Sequence, residues 1–300
     1  MEKLTIPKIE IDYENCDKEG LCVQICPWVY ERESHDDFPI VAHPLSCDFC
    51  GHCVAVCPTG AITHHELDMD NFPKVDNRLI IEADSLQQLL RKRRSIRNYN
   101  QKRKVKRSVI ERMMEAARYS PTGSNAQSLE HIVLQGRESI MELVRLTIVD
   151  FRKELEILED IDLQMQMDPA ELKELQYWLS TYERLVNDYD TGKDMIFYDA
   201  PGVIISHAPR AITITPTPVL VEDATLASFH MMLMAETLGL GTCYIGNFYE
   251  KANENDAVRQ FLGVPQENDI LMAFSFGYPA IRFRRLVDRN PPKVKWIGGD

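Results

Sequence analysis

Four things are scarce in this 300-residue chain, and each scarcity excludes something. Long apolar runs are missing: no stretch approaches the roughly 20 residues that a membrane-spanning helix needs, so the sequence predicts no membrane partner. The opening residues, MEKLTIPKIEIDYEN, are charged and lack an apolar core segment. That is not the pattern of a secretory leader, and it predicts a cytoplasmic chain. Positive charge is in deficit, with 34 Lys and Arg against 46 Asp and Glu for a net −12, which argues against a nucleic-acid partner. Cysteine is nearly absent from the later part of the chain: of the 8 present, only Cys243 lies beyond Cys57.

What is there is therefore concentrated. Two cysteine runs repeat at an offset of 31: Cys16, Cys22, Cys26-Pro27 and Cys47, Cys50, Cys53, Cys57-Pro58. The second run reads CxxCxxCxxxCP, a pitch at which three thiolates wrap three corners of an iron-sulfur cubane while the fourth faces a neighbouring cluster. Cys47, Cys50 and Cys53 are thus expected to hold one cluster with Cys26, and Cys16 and Cys22 the other with Cys57. The match is with the bacterial two-cluster (4Fe-4S) ferredoxins. One position breaks the repeat, because the same offset counted back from Cys50 reaches Glu19. Either Glu19 ligates iron as a harder donor, leaving a 4Fe-4S cluster with a non-cysteine corner, or that corner is lost and a 3Fe-4S cluster remains. A disulfide framework would suit a secreted chain, and zinc knots would need two CxxC pairs rather than a triple run closed by CP.

A chain of this length exceeds what one small ferredoxin needs and suggests about two domains. Residues 1–80 carry 15 acidic and 6 basic side chains, a balance suited to docking a positively charged redox partner or simply to a solvated surface. The turn-like segment Asp68 to Pro73 closes this part, and a helix from Ser85 to Lys92, capped by Asp84 or Ser85, follows. The boundary is placed near residue 80, with a second domain over 81–300. The one strongly basic block, Arg91 to Arg107, holds ten Lys or Arg and no acid.

Inside that block, Arg93-Arg94-Ser95-Ile96-Arg97 sets arginines around a hydroxyl, a phosphate grip. Further on come Pro121-Thr122-Gly123-Ser124-Asn125-Ala126-Gln127, where amides can read the alternating donors and acceptors of a flavin edge. An apolar helical run from Asp223 ends at Gly239 or Gly241 and leads into Thr242-Cys243-Tyr244-Ile245-Gly246. Val203-Ile204-Ile205 and Ile270 to Phe276 read as buried strands. From 149 to 194 an acidic stretch, with apolar positions at Phe151, Leu155, Leu158 and again from Leu172 to Leu185, fits two amphipathic helices.

These segments resemble, in order, the RRSxR signature, the PSxxNxQ loop and the GLGxxxIG ending of the FMN-dependent nitroreductase family, over about residues 85–300. The resemblance implies an α+β fold, a mixed-sheet sandwich covered by helices, in a homodimer that binds FMN at its interface. One chain would supply Arg93, Arg94, Ser95 and Arg97, the other Pro121, Thr122, Gly123, Asn125 and Gln127. It also implies a backbone amide against flavin N5, at Ile245 or Gly246, and returning phosphate contacts from Arg285 and Arg289. The 149–194 insertion would be a lid over the flavin or a brace in the dimer. Joined to the cluster domain, the implied function is an iron-sulfur flavoprotein oxidoreductase that reduces a nitroaromatic, quinone or similar small-molecule electron acceptor. NAD(P)H or reduced ferredoxin would be the donor. Alternatives are a reductive dehalogenase or flavin-modifying relative, and an electron-transfer adaptor to a protein partner. No side chain is required as a catalytic acid or base, because flavin N5 does the chemistry. His207 and His230 read as core residues and Cys243 as inert packing in a turn, while His52, between two cluster ligands, reads as a tuning or merely exposed residue.

Overall fold

The computed structural model describes residues 6–160, 167–210 and 217–299. They fall into two compact units. One runs as far as Ile80 and includes Ser124–Gln127; the other takes Ile81–Gly123 and the described residues from Ser128 onward.

The first unit is built twice from the same local chemistry. Strand β1 (Ile9–Ile11) leads to the short helix α1 (Leu21–Ile25), a hairpin pairs β2 (Tyr30–Glu31) with β3 (Ile40–Val41), and helix α2 (His52–Val56) leads to β4 (Ile62–His64), which returns antiparallel to β1. The repeat shows in the helix starts. Gly20 and Gly51, which occupy equivalent positions of the repeat, both cap their helices in the left-handed region, at φ 71° and 72°. A side chain there would be strained, and its Cβ would strike the Arg32 guanidinium at one site and the Phe72 ring at the other. The core is small: Cys22, Val29, Tyr30, Cys53, Val54 and Ile62.

In the second unit, helix α3 occupies Ala83–Lys92. It begins two positions before the start read from sequence, because Glu82 takes the extended N-cap conformation without a side-chain bond, and Asp84 sits in the first turn against the helix dipole. After α4 (Arg107–Glu115) come β5 (Glu130–Gln135), α5 (Arg137–Leu158), α6 (Pro169–Asp190), β6 (Gly202–Pro209), α7 (Thr217–Thr237), β7 (Gly241–Tyr244), α8 (Gly246–Glu254), α9 (Asp256–Leu262) and β8 (Asn268–Gly277). The sheet order is β5-β6-β8-β7 with antiparallel ladders. Among the described residues parallel pairing enters only through the bridge Ser95–Thr242.

Period-two alternation explains the layers. On β6, Val203 and Ile205 join a core with Leu143, Phe151, Phe197 and Phe248, whereas Ile204 between them joins Met113, Met231, Phe274 and Phe276 on the opposite face. A strand buried on both faces reads as the continuous apolar run seen in the sequence. Helices α5 and α6 carry the apolar positions read as two amphipathic helices, but α5 already begins at Arg137, ahead of the stretch expected from residue 149, and residues 161–166 lie outside the described set. They pack through Phe151 and Tyr182, ring centroids 5.1 Å apart. Asp168 and Glu171 form a reciprocal capping box that starts α6. No helix among the described residues is long and apolar enough to cross a membrane.

Candidate functional site

In the first unit the thiols sort into two groups by mutual influence. Cys26 is pushed up first by burial and then by Cys53 and Cys50; Cys47 first by burial and then by Cys53, Cys50 and Cys26. Cys22 is raised by burial and by Cys16 and Cys57. Cys16, Cys22 and Cys57 also line one small cavity, and Glu19 lines it with them. Among the described residues no three His, Cys, Asp or Glu groups converge on a single ion-sized point. The donor chemistry fits iron-sulfur clusters: thiols held within repulsive reach of each other in a buried setting lose that penalty once metal ions neutralise them. Amide donors already face two sulfurs, Phe49 N to Cys47 Sγ at 3.4 Å and Ala61 N to Cys57 Sγ at 3.3 Å.

Two polar side chains near these thiols carry no sequence signal. Tyr30, 1% exposed, has a hydroxyl with no hydrogen-bond partner, and Cys53 is the largest influence on it after burial. His64 is fully buried with Nε2 3.4 Å from Cys47 Sγ. Neither belongs to a CxxC pitch, so spacing alone could not find them. His52, by contrast, is exposed.

In the second unit the basic motif leaves α3 extended and runs beside β7, with Ile96 N donating to Thr242 O at 2.9 Å. This approach requires glycine at 241, where a Cβ would collide with Cγ1 of Ile96. Extended backbone then splits the motif by parity. Arg93, Ser95 and Arg97 act on the Cys243 thiol, which burial pushes up against their pull. Arg94 and Ile96 instead line a cavity of about 340 Å³ with Lys92, Arg103 and Arg282. Cys243 lies in strand β7 rather than in a turn, because pairing with Ser275 of β8 extends the backbone there.

Arg97, Tyr244, Ile245 and Gly246 line another cavity, of about 640 Å³, together with Tyr198 and with Tyr177 and Arg184 of α6. Its size is that of a ligand site, and its lining sets tyrosine rings beside guanidinium and hydroxyl groups, which suits a flat, polar heteroaromatic. Of the two amides expected at flavin N5, that of Ile245 is engaged by Ala273 O at 2.9 Å. Gly246 opens α8, where an amide has no acceptor within the helix.

The PSxxNxQ segment divides. Gly123 N donates to both carboxylate oxygens of Asp223, at 3.1 and 3.3 Å, and Pro121 and Thr122 precede it in the second unit. Asn125 and Gln127 group with the first unit, where Asn125 Nδ2 donates to Asp48 O at 2.9 Å. Ser124, Asn125 and Gln127 all have positive φ, near 50°. Arg285 and Arg289 are exposed, and Arg289 comes near enough to Arg94 to weigh on its charge after the effect of burial. His207 is a core histidine bonded to Asn268 Nδ2 at 2.8 Å.

Comparison with known proteins places both units. Residues 90–278 match the model of the Nitroreductase family and residues 8–58 that of the 4Fe-4S dicluster domain. An Archaeoglobus fulgidus protein whose name gives NADH dehydrogenase/NAD(P)H nitroreductase is 25% identical over 210 residues, covering 68% of this chain and 94% of its own. An uncharacterized ferredoxin of Methanocaldococcus jannaschii is 44% identical over 57 residues, 18% of this chain and 89% of its own. Among solved structures, a nitroreductase with bound FMN from Desulfitobacterium hafniense shares the fold, at 17% identity and a TM-score of 0.54 over 73% of this chain and all of that one. The chain therefore belongs to the nitroreductase family, as an oxidoreductase that carries a 4Fe-4S dicluster domain at its N-terminal end.

Proposed function

We propose that this chain is a homodimeric iron-sulfur flavoprotein that takes electrons from NAD(P)H or reduced ferredoxin and delivers them to a nitroaromatic, quinone or similar small electrophile. The observation that carries the reading is the cavity of about 640 Å³ in which Arg97, Tyr244 and Gly246 of the family motifs meet α6 of the insertion, in a chain that also carries the dicluster cysteines. When bound, FMN exchanges electrons singly or in pairs whereas each cluster passes one at a time. The chain's residues do the rest. Arg97, with its guanidinium 5.4 Å from the Tyr198 ring centroid, keeps positive charge where electrons arrive. The Gly246 amide and the α8 dipole add to that field. Arg93, Arg94 and Ser95 hold the phosphate end, with Arg285 and Arg289 as returning cations, and Pro121, Thr122, Gly123, Asn125 and Gln127 serve the flavin of the second subunit. Tyr177 and Arg184 of α6 wall the acceptor side and exclude water. Exposed apolar residues such as Leu226, Phe229 and Trp296 are surfaces a second copy would cover.

In the first unit Cys47, Cys50, Cys53 and Cys26 hold one cluster, and Cys16, Cys22 and Cys57 with Glu19 the other. The test is oxygen-free purification, quantitation of iron, acid-labile sulfide and flavin, then steady-state reduction of a nitro compound with each donor. Turnover with stoichiometric cofactors supports the reading; a fully loaded protein that turns over no small molecule but exchanges electrons with a carrier protein would replace it with the adaptor reading, which the acidic N-terminal part of the chain suits.

A further inference from the structure

The internal repeat of the first unit is close in backbone and unequal in polar side chains. The offset of 31 that carries Gly20 onto Gly51 carries Tyr30 onto Ala61 and Glu33 onto His64. At Ala61 only a backbone amide meets sulfur, that of Cys57. At Tyr30 a buried phenol packs in the core with Cys53 and Cys22, its hydroxyl without a hydrogen-bond partner and Cys53 the strongest of the thiols that weigh on it. Glu33 is exposed, whereas His64 is fully enclosed and its Nε2 lies 3.4 Å from Cys47 Sγ.

The histidine ring is also aimed. Strand pairing sets His64 opposite Ile9, and the Phe49 ring stands 5.6 Å away. Nδ1 lies 3.3 Å from Glu66 Oε2 without making a hydrogen bond, and that carboxylate is fixed by the Lys8 amide at 3.1 Å to each oxygen. A thiolate that ligates iron has no proton to give, so at this distance Nε2–H must be the donor. The Tyr30 hydroxyl, buried in the same core as Cys53 and without a partner of its own, is placed to donate to that sulfur once it ligates iron.

We propose that Tyr30 and His64 tune the cluster of Cys26, Cys47, Cys50 and Cys53, donating to the sulfurs of Cys53 and Cys47 and holding that centre at a higher reduction potential than its four thiolates alone would set. Reduction adds negative charge to the cluster, and a donor aimed at a ligand sulfur stabilises the more negative state. The other cluster has no buried side-chain donor of this kind, only the exposed Thr59 hydroxyl 3.6 Å from Cys57 Sγ, and Glu19 would put a harder, anionic donor at its fourth corner. The two centres are therefore unequal by construction, and an electron entering the unit settles first where Tyr30 and His64 point.

This rests on the iron-sulfur reading of the unit, and the test separates the two. Full-length Tyr30→Phe, which deletes one oxygen atom, is purified without oxygen beside wild type, His64→Leu, His64→Gln and Glu19→Cys, with iron and acid-labile sulfide measured on each. EPR-monitored redox titration then follows the two centres, and the step that responds to Glu19→Cys marks the Cys16 cluster. In Tyr30→Phe and His64→Leu the other step is expected to move to more negative potential. Roughly tenfold in the reduced-to-oxidised ratio at fixed potential is expected, about 59 mV for one electron. His64→Gln, which keeps an N–H donor, returns most of the shift. Unmoved midpoints in fully loaded Tyr30→Phe and His64→Leu overturn the proposal, as does an equal shift of both centres. If His64→Leu fails to hold iron, Tyr30→Phe decides alone. Wild-type protein free of iron and sulfide overturns the iron-sulfur reading and this inference with it.

Discussion

The first unit encloses little more than Val29, Tyr30, Val54 and Ile62 with Cys22 and Cys53, whereas the second closes a separate core on each face of its sheet. Below about 70–80 residues a single apolar core rarely supplies enough stability, and a bound metal commonly makes up the difference. On the proposed reading the cysteines of the first unit are ligands and scaffold at once. In the second unit structure and chemistry are separable, since Phe197, Phe274 and Phe276 hold the fold while Arg97 and Gly246 face the cavity.

The largest expected effect tests that contrast directly. Removing iron with a chelator under reducing conditions should abolish hydrogen-exchange protection in β1 and β4 while leaving β6 and β8 protected. Unchanged protection at Ile9–Ile11 and Ile62–His64 in iron-free protein would mean that the small core suffices, and the contrast between the units would fail.

A second effect belongs to the second unit alone. Asp194 is 1% exposed and accepts from Ile196 N and Phe197 N, both at 2.8 Å. Burial, aided by Asp199, pushes its carboxyl up to about 6 from 3.8. The folded chain therefore keeps a proton that the unfolded chain releases, so this group's effect is absent below about pH 4. Stability falls as pH rises through that window, by up to about 3 kcal/mol, and stays lower above it. Asp194→Asn keeps an acceptor oxygen and is expected to flatten this fall in urea midpoints measured from pH 4 to 7. Parallel curves for the two proteins would assign the slope elsewhere.

Gly241 sharpens the comparison from the flavin side. Gly241→Val places side-chain atoms where Ile96 already lies, since even a Cβ would collide with Cγ1 of that residue. Overpacking of this kind costs about 1–3 kcal/mol. Because the strain falls between the RRSxR segment and β7, flavin content should drop while iron and sulfide stay level. Equal loss of all three would show the two units to be less independent than their cores suggest.

The same division governs what the sequence could tell. The dicluster domain was legible because its cysteines lie close together along the chain, at a pitch that points to clusters without any help from the fold. The strands at Val203 and Ile270 were legible because burial on both faces leaves an unbroken apolar run. Tyr30 and His64 were not legible, since what sets them apart is a fold that turns each onto a sulfur distant in sequence, the phenol onto Cys53 and the imidazole onto Cys47. Ile245 and Gly246 could not be told apart either: the choice rests on the Ala273 carbonyl, which arrives from β8. That Arg94 faces away from Arg93 and Arg97 follows from an extended backbone that the helical run before it does not foretell.

The smallest expected effect probes helix α6, which walls the cavity of Arg97 with Tyr177 and Arg184. The start of α6 is fixed by Asp168 Oδ1, which accepts from Ala170 N at 2.7 Å and Glu171 N at 2.9 Å, while Glu171 Oε2 accepts from Asp168 N at 2.8 Å. Asp168→Ala removes the cap at a cost of about 1 kcal/mol, confined to the first turns of the helix. Tyr177 lies some two turns in, so fraying should loosen the wall without reaching Phe151 or the sheet. The expected outcome is a KM for the acceptor raised by a few-fold, with kcat, flavin, iron and sulfide unchanged. If KM stays fixed while hydrogen exchange shows the first turns of α6 open, the helix does not bound the acceptor's path. The insertion would then be better read as a brace between subunits, whose loosening registers in the dimer dissociation constant measured by sedimentation.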